Sequence, residues 1–188
     1  RNENNPVLLF LHGGPGISNR HTVMQTNDDL LDDFTIVAWD QRGTAGSYFG
    51  VKTEDLTIER LTEDARELVD YLCEKFSKKK IFVIGGSWGS LLGTWLLHKY
   101  PDKIAAFVGF GQFVNGHLNE LLSWQYCIEE VTRANDLKAL EILKRVGPPE
   151  MGIYKGGFAG MKAQRDIMMK YGGYSKNEGK RSYMDAFI

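Results

Sequence analysis

The sequence predicts an α/β fold, a mostly parallel sheet with flanking helices, followed by a helical segment. Three observations carry this expectation. Apolar runs of strand length occur at Val7–Leu11, Thr35–Trp39, Lys80–Gly85 and Ile104–Phe110. A helical pattern with an apolar face runs from Ile58 to about Phe76, and a further helix is read from Gly89 to Tyr100. After about Gly111 the strand signal stops and only helical periodicity remains. Strands alternating with helices argue parallel pairing with right-handed crossovers.

Each element has a local reason. The first run ends at His12-Gly13-Gly14-Pro15-Gly16, and the second is closed by Asp40-Gln41-Arg42-Gly43. Thr57 is placed to cap a helix whose apolar face is Ile58, Leu61, Ala65, Leu68, Leu72 and Phe76. The third run leads into Gly85-Gly86-Ser87-Trp88-Gly89, and Pro101 stops the helix that follows. From Gly116 to Val146 the pattern reads as amphipathic helix until Gly147-Pro148-Pro149 breaks it. Gly156-Gly157 and Gly172-Gly173 bracket a further helix over Ala159–Tyr171. The organisation is therefore read as a core over residues 1–111 and an incomplete helical cap or lid over residues 112–188.

Composition excludes several functions. The chain has 188 residues, 23 Lys+Arg against 24 Asp+Glu, and a net charge of −1, with the charges interspersed. No basic stripe is available for phosphates, so nucleic acid is not an expected partner. No apolar run is long enough to span a membrane. Cys73 and Cys127 lack CxxC spacing and read as buried free thiols, which favours a reducing compartment and a cytoplasmic location. The chain opens at Arg1, so any N-terminal targeting segment lies outside it. The four histidines have no H-x-x-x-H spacing, and the glycine loop fits neither G-x-G-x-x-G nor a phosphate loop. No metal and no cofactor is expected.

The chemistry lies in Gly85–Gly89. A serine between glycines, placed between a strand and a helix, has the form of a nucleophile elbow, which holds Ser87 Oγ above the sheet. An attacking serine needs N–H donors for the oxyanion that forms. Trp88 supplies one, and the His12–Gly16 loop, at the same sheet edge, supplies the other. Gly14 is the first choice; Gly13 is nearly as suited and otherwise lines the substrate. A base is harder to find. His98 and Asp102 sit at the far end of the following helix, His12 reads as a structural hydrogen-bonder, and His21 has no supporting context. His117 leaves the same edge as Ser87, so a Ser87–His117 pair is conceivable, although a polar residue at the entrance to the lid is the plainer reading.

Taken in order, His12–Gly16, Asp40–Gly43 and Gly85-Gly86-Ser87-Trp88-Gly89-Ser90 resemble the proline iminopeptidase branch of the α/β-hydrolase superfamily, over about residues 6–115. The resemblance implies a partial α/β-hydrolase fold, Ser87 as nucleophile, Gly14 and Trp88 amides as oxyanion hole, and a structural role for the Asp40–Gly43 turn. It also implies release of N-terminal residues, preferably proline, from small peptides, with lid acids holding the substrate ammonium. Glu120, Glu129 and Glu130 are the candidates, and Trp88 and Trp124 are candidates for the wall of the pocket. One departure is local: Thr44-Ala45-Gly46-Ser47 displaces a glycine that usually comes two residues after Gly43. The other is larger. The triad acid and histidine should follow later strands, so they are expected beyond Ile188, with the chain truncated at both ends and inactive alone. The alternatives are a carboxylesterase or other acyl hydrolase acting on esters, or a catalytically silent binding module. A hydrolase with an aspartate nucleophile is disfavoured by the serine.

Overall fold

A computed structural model describes residues 4–173. The chain divides into two compact units, with the boundary between Val114 and Asn115.

The first unit is built on a parallel four-stranded sheet: β1 (Val7–Leu11), β2 (Thr35–Ala38), β3 (Ile81–Gly86) and β4 (Ile104–Phe110), in the order β2-β1-β3-β4. Its helices are α1 (Arg20–Thr26), α2 (Ile58–Lys75) and α3 (Trp88–Lys99). β1 is buried at every position, as a central parallel strand covered on both faces must be. Alternation then sorts its side chains. Val7, Leu9 and Leu11 pack with Leu61, Ala65, Val69 and Leu72 of α2 and Leu92 and Leu96 of α3. Leu8 and Phe10 pack with Val23 of α1, Phe34, Ile36 and Ile84. Thr57 caps α2 by accepting from Arg60 N–H at 3.2 Å.

Strand register positions the site. Phe10 stands opposite Ala38 and Ile84, Leu11 opposite Gly85, and Gly86 opposite Phe110. The carboxyl ends of all four strands therefore meet one edge, and His12, Trp39, Ser87 and Gly111 leave it side by side. Glycines allow close contact there. A Cβ on Gly89 would fall 2.0 Å from the Leu11 carbonyl oxygen, and one on Gly85 would fall 2.2 Å from the Gly89 oxygen.

The second unit contains α4 (Gly116–Arg133), α5 (Leu137–Val146) and α6 (Phe158–Lys170). Its core is Cys127, Val131, Ala139, Leu143, Ile167 and Met168. The single helical stretch expected over Gly116–Val146 is two helices. Asn135 takes a positive φ of 51°, and Asp136 then caps α5 by accepting from Ala139 N–H at 3.0 Å. Gly147, at φ 75°, ends α5. The strand signal ends as expected; beyond β4 the described residues add only an isolated antiparallel bridge, Glu150 to Ile153. α1 was not anticipated. It has 7 residues and buries only Val23, too little to set up a periodic signal.

Both cysteines are buried free thiols. Burial pushes the Cys127 thiol up to about 11, so it is inert at neutral pH.

Candidate active site

Ser87 sits between β3 and α3 with φ 50° and ψ −119°, a conformation that L-residues rarely adopt. Its backbone is held from both sides. Ser87 N–H donates to the Phe110 carbonyl at 3.0 Å. The Ser87 carbonyl accepts from Ser90 N–H at 2.9 Å and from the Ser90 hydroxyl at 2.6 Å. A serine held in a conformation suited to glycine is an outlier of the kind that marks functional turns. The side chain is exposed at the sheet edge, and among the described residues of the first unit its Oγ has no hydrogen-bond partner.

The glycine loop stands beside it. A Cβ on Gly13 would lie 3.4 Å from Ser87 Cβ and 4.0 Å from its Oγ. His12 is fully buried, and its Nδ1–H donates to the Gly13 carbonyl at 2.8 Å while its Nε2 accepts from Gln41 N–H at 3.1 Å. An N–H can only donate, so these bonds make the imidazole neutral, with its proton on Nδ1. Burial is the main reason its pKa is lowered. Because the C=O and N–H of a trans peptide point opposite ways, this grip on Gly13 O turns Gly14 N–H away from His12. Among the described residues Gly14 N–H meets no backbone acceptor. Trp88 N–H, in the first turn of α3, has none within its helix.

Gln41 ties these parts together. Its Nε2–H donates to the His12 carbonyl at 3.0 Å, and its Oε1 accepts from Trp88 Nε1–H at 3.1 Å. The Asp40–Gly43 turn thus lies beside Ser87, where the resemblance put it as the floor of the site, and its Gln41 bonds are what the motif did not reveal. Asp40 accepts from the Ser18 hydroxyl at 2.6 Å and from Gly46 N–H at 3.3 Å, and forms an ion pair with Arg20 at 3.2 Å. The Ser18 bond is the main cause of its lowered pKa. The displaced glycine has a visible consequence: Ala45 occupies a positive φ of 42°, and Gly46 packs on the Asp40 carboxylate.

The remaining candidates fall as follows. His98 is exposed in the last turn of α3, a helix of 12 residues and therefore about 18 Å long. Asp102 lies beyond it in a one-turn helix, and His21 is exposed on α1. His117 is exposed near the start of α4, in the second unit. Trp124 packs on the second unit's core and donates to the Leu143 carbonyl. The three lid acids differ in their surroundings. Glu120 accepts two hydrogen bonds from Arg165 Nη2, at 2.5 and 2.6 Å, with both side chains largely buried. Arg165 thus matches its charge within the second unit. Glu129 lies nine positions on, about 180° around the helix, so the two cannot serve one ligand. Glu129 is exposed, and Glu130 pairs with the exposed Arg133.

Among the described residues no group of His, Cys, Asp and Glu could hold a metal, and no helix is long and apolar enough to cross a membrane.

A parallel sheet carrying a strained serine at a strand-to-helix turn, beside a glycine loop, defines the class: the chain belongs to the alpha/beta hydrolase fold family, whose model matches residues 6–131. Its relatives within that family include proteins named as proline iminopeptidases. YbaC of Bacillus subtilis (strain 168), named a probable aminopeptidase, is 36% identical over 77% of this chain and 46% of its own length. A proline iminopeptidase of Arabidopsis thaliana is 34% identical over 57% of this chain and 27% of its own length. The crystal structure of a proline iminopeptidase-related protein of Thermus thermophilus superposes with a TM-score of 0.51, at 24% identity, over 65% of this chain and 42% of that one. The chain thus spans less than half the length of these relatives.

Proposed function

We propose that Ser87 is the nucleophile of a serine hydrolase that releases N-terminal residues, preferably proline, from small peptides. The observation that carries this reading is the backbone of Ser87: a positive φ held by Phe110 and Ser90, with Oγ left exposed beside Gly13. The strain costs about 1–3 kcal/mol, and strained residues of this kind cluster at active sites.

In the chemistry, Ser87 Oγ forms a bond to the scissile carbonyl carbon as its proton passes to a base. The carbonyl oxygen becomes an oxyanion facing Gly14 N–H and Trp88 N–H. The C–N bond then breaks, the amine leaves with a proton, and water hydrolyses the ester on Ser87. Neither ring nitrogen of His12 is free to be the base, and among the described residues no other side chain of the first unit bonds to Oγ. The proton acceptor is therefore assigned outside residues 4–114. For the substrate ammonium, Glu120, Glu129 and Glu130 are the lid candidates. The YbaC and Arabidopsis relatives favour a peptide over an ester.

The experiment is a substrate panel with the whole protein: proline arylamide, other aminoacyl arylamides and short acyl esters. Turnover of proline arylamide that Ser87→Ala abolishes supports the reading. Turnover of esters alone replaces the aminopeptidase with an acyl esterase, and no turnover of any member rejects both.

A further inference from the structure

We propose that Gln41 is a positioning residue that sets the spacing between the two oxyanion donors; this rests on the reading of Ser87 as a nucleophile.

The two donors belong to different elements. Gly14 N–H leaves the loop after β1, and Trp88 N–H opens α3 after β3. No covalent path shorter than the intervening chain joins them, and a glycine loop has little stiffness of its own. Gln41, after β2, bonds to both. Its backbone N–H holds His12 Nε2, whose Nδ1–H fixes the Gly13 carbonyl and hence the plane of the Gly13–Gly14 peptide. Its side-chain NH2 holds the His12 carbonyl, and its side-chain oxygen holds the Trp88 indole. Gln41 is 2% exposed, and both ends of its amide are used within the protein.

This arrangement is more than packing. A leucine or methionine would fill the volume as well, but neither can donate toward β1 and accept from α3 at once, as the side-chain amide does. Oxyanion stabilisation falls steeply with misplacement: a shift of about 1 Å costs on the order of a hundredfold in rate. A clamp across the two loops therefore acts on the transition state and leaves substrate binding nearly unchanged.

The test uses the whole protein as wild type, Gln41→Met and Trp88→Phe. The first substitution keeps the volume and removes both side-chain bonds; the second keeps an aromatic ring and the backbone donor and removes one bond. Each is treated with a fluorophosphonate probe, recording the labelled fraction at the endpoint and the rate of labelling, and kcat and KM are measured on p-nitrophenyl acetate. The expected result is a full endpoint, a labelling rate at least about tenfold lower for Gln41→Met, and a loss in kcat with KM within about twofold. Wild-type rates in both variants overturn the proposal, as does a lowered endpoint at unchanged rate, which is the signature of lost folding alone. If Gln41→Met does not fold, Trp88→Phe decides between these outcomes. A wild-type protein that takes no label instead rejects the Ser87 reading, and the clamp with it.

Discussion

The Ser90 hydroxyl donates to the Ser87 carbonyl at 2.6 Å and accepts from Phe113 N–H at 2.9 Å, joining the strained turn to the segment that leaves β4. Ser90 is fully buried, so its removal strands the Ser87 carbonyl with only the Ser90 N–H as partner. Ser90→Ala should cost about 1–2 kcal/mol, a fall of about 2–8 °C in melting temperature, which differential scanning calorimetry will read. An unchanged melting temperature would show that the turn does not depend on this hydroxyl.

The strain at Ser87 makes a separate prediction. Ser87→Ala keeps the Cβ and the conflict with φ 50°, whereas Ser87→Gly removes both. The glycine variant should be the more stable of the two by about 1 kcal/mol, although glycine ordinarily lowers stability. Denaturant midpoints compared at equal slope check this.

At Gly89 the obstacle is backbone. A Cβ there would meet the Leu11 oxygen at 2.0 Å and the His12 oxygen at 2.8 Å, neither of which can move without parting β1 from α3. Gly89→Ala should cost more than about 3 kcal/mol, and circular dichroism should show loss of the fold at moderate temperature. At Gly93 the nearest group is the Phe107 ring, at 2.2 Å, which can shift, so Gly93→Ala should cost about 1–3 kcal/mol.

In the second unit, Glu120→Gln leaves Arg165 buried without its counter-charge. A loss of about 3–5 kcal/mol is expected, whereas Glu129→Gln at an exposed position should stay within about 0.5 kcal/mol. Equal melting temperatures for the two variants would contradict the ion-pair assignment.

His12 adds a pH dependence. Burial lowers its pKa from the ordinary 6.5, against the opposing effects of the Gly13 hydrogen bond and the Asp40 charge. Below 6.5 the unfolded chain binds a proton that the folded chain refuses, so this contribution to stability is complete above 6.5 and declines as pH falls below it. Melting temperature should fall between about pH 7.5 and about pH 5.5, and the His12 ring should stay neutral through 6.5 when followed by 15N NMR. A His12 midpoint at or above 6.5 would contradict the buried, neutral assignment.

Much of the sheet was legible because its signals are local. Val7–Leu11 reads as a strand because every position is apolar, and Thr57 reads as a cap because the helical pattern starts one residue later. The Ser87 turn was legible for the same reason, since its glycines are adjacent in the chain. What escaped depends on pairs far apart in sequence. Gln41 and Trp88 are 47 positions apart, and nothing near Gln41 shows that an indole waits across the sheet edge. Glu120 and Arg165 are separated by 45 positions, so three glutamates on one helix looked equivalent until Arg165 claimed one. The break at Asn135 was hidden because the apolar period continues across it, while the positive φ that ends α4 leaves no mark on that period.

The most direct test of the account is the intact mass of the whole protein after treatment with a fluorophosphonate, followed by peptide mapping. One adduct on Ser87, absent from Ser87→Ala, is the predicted result. An unlabelled wild type, or an adduct on another residue, would contradict it.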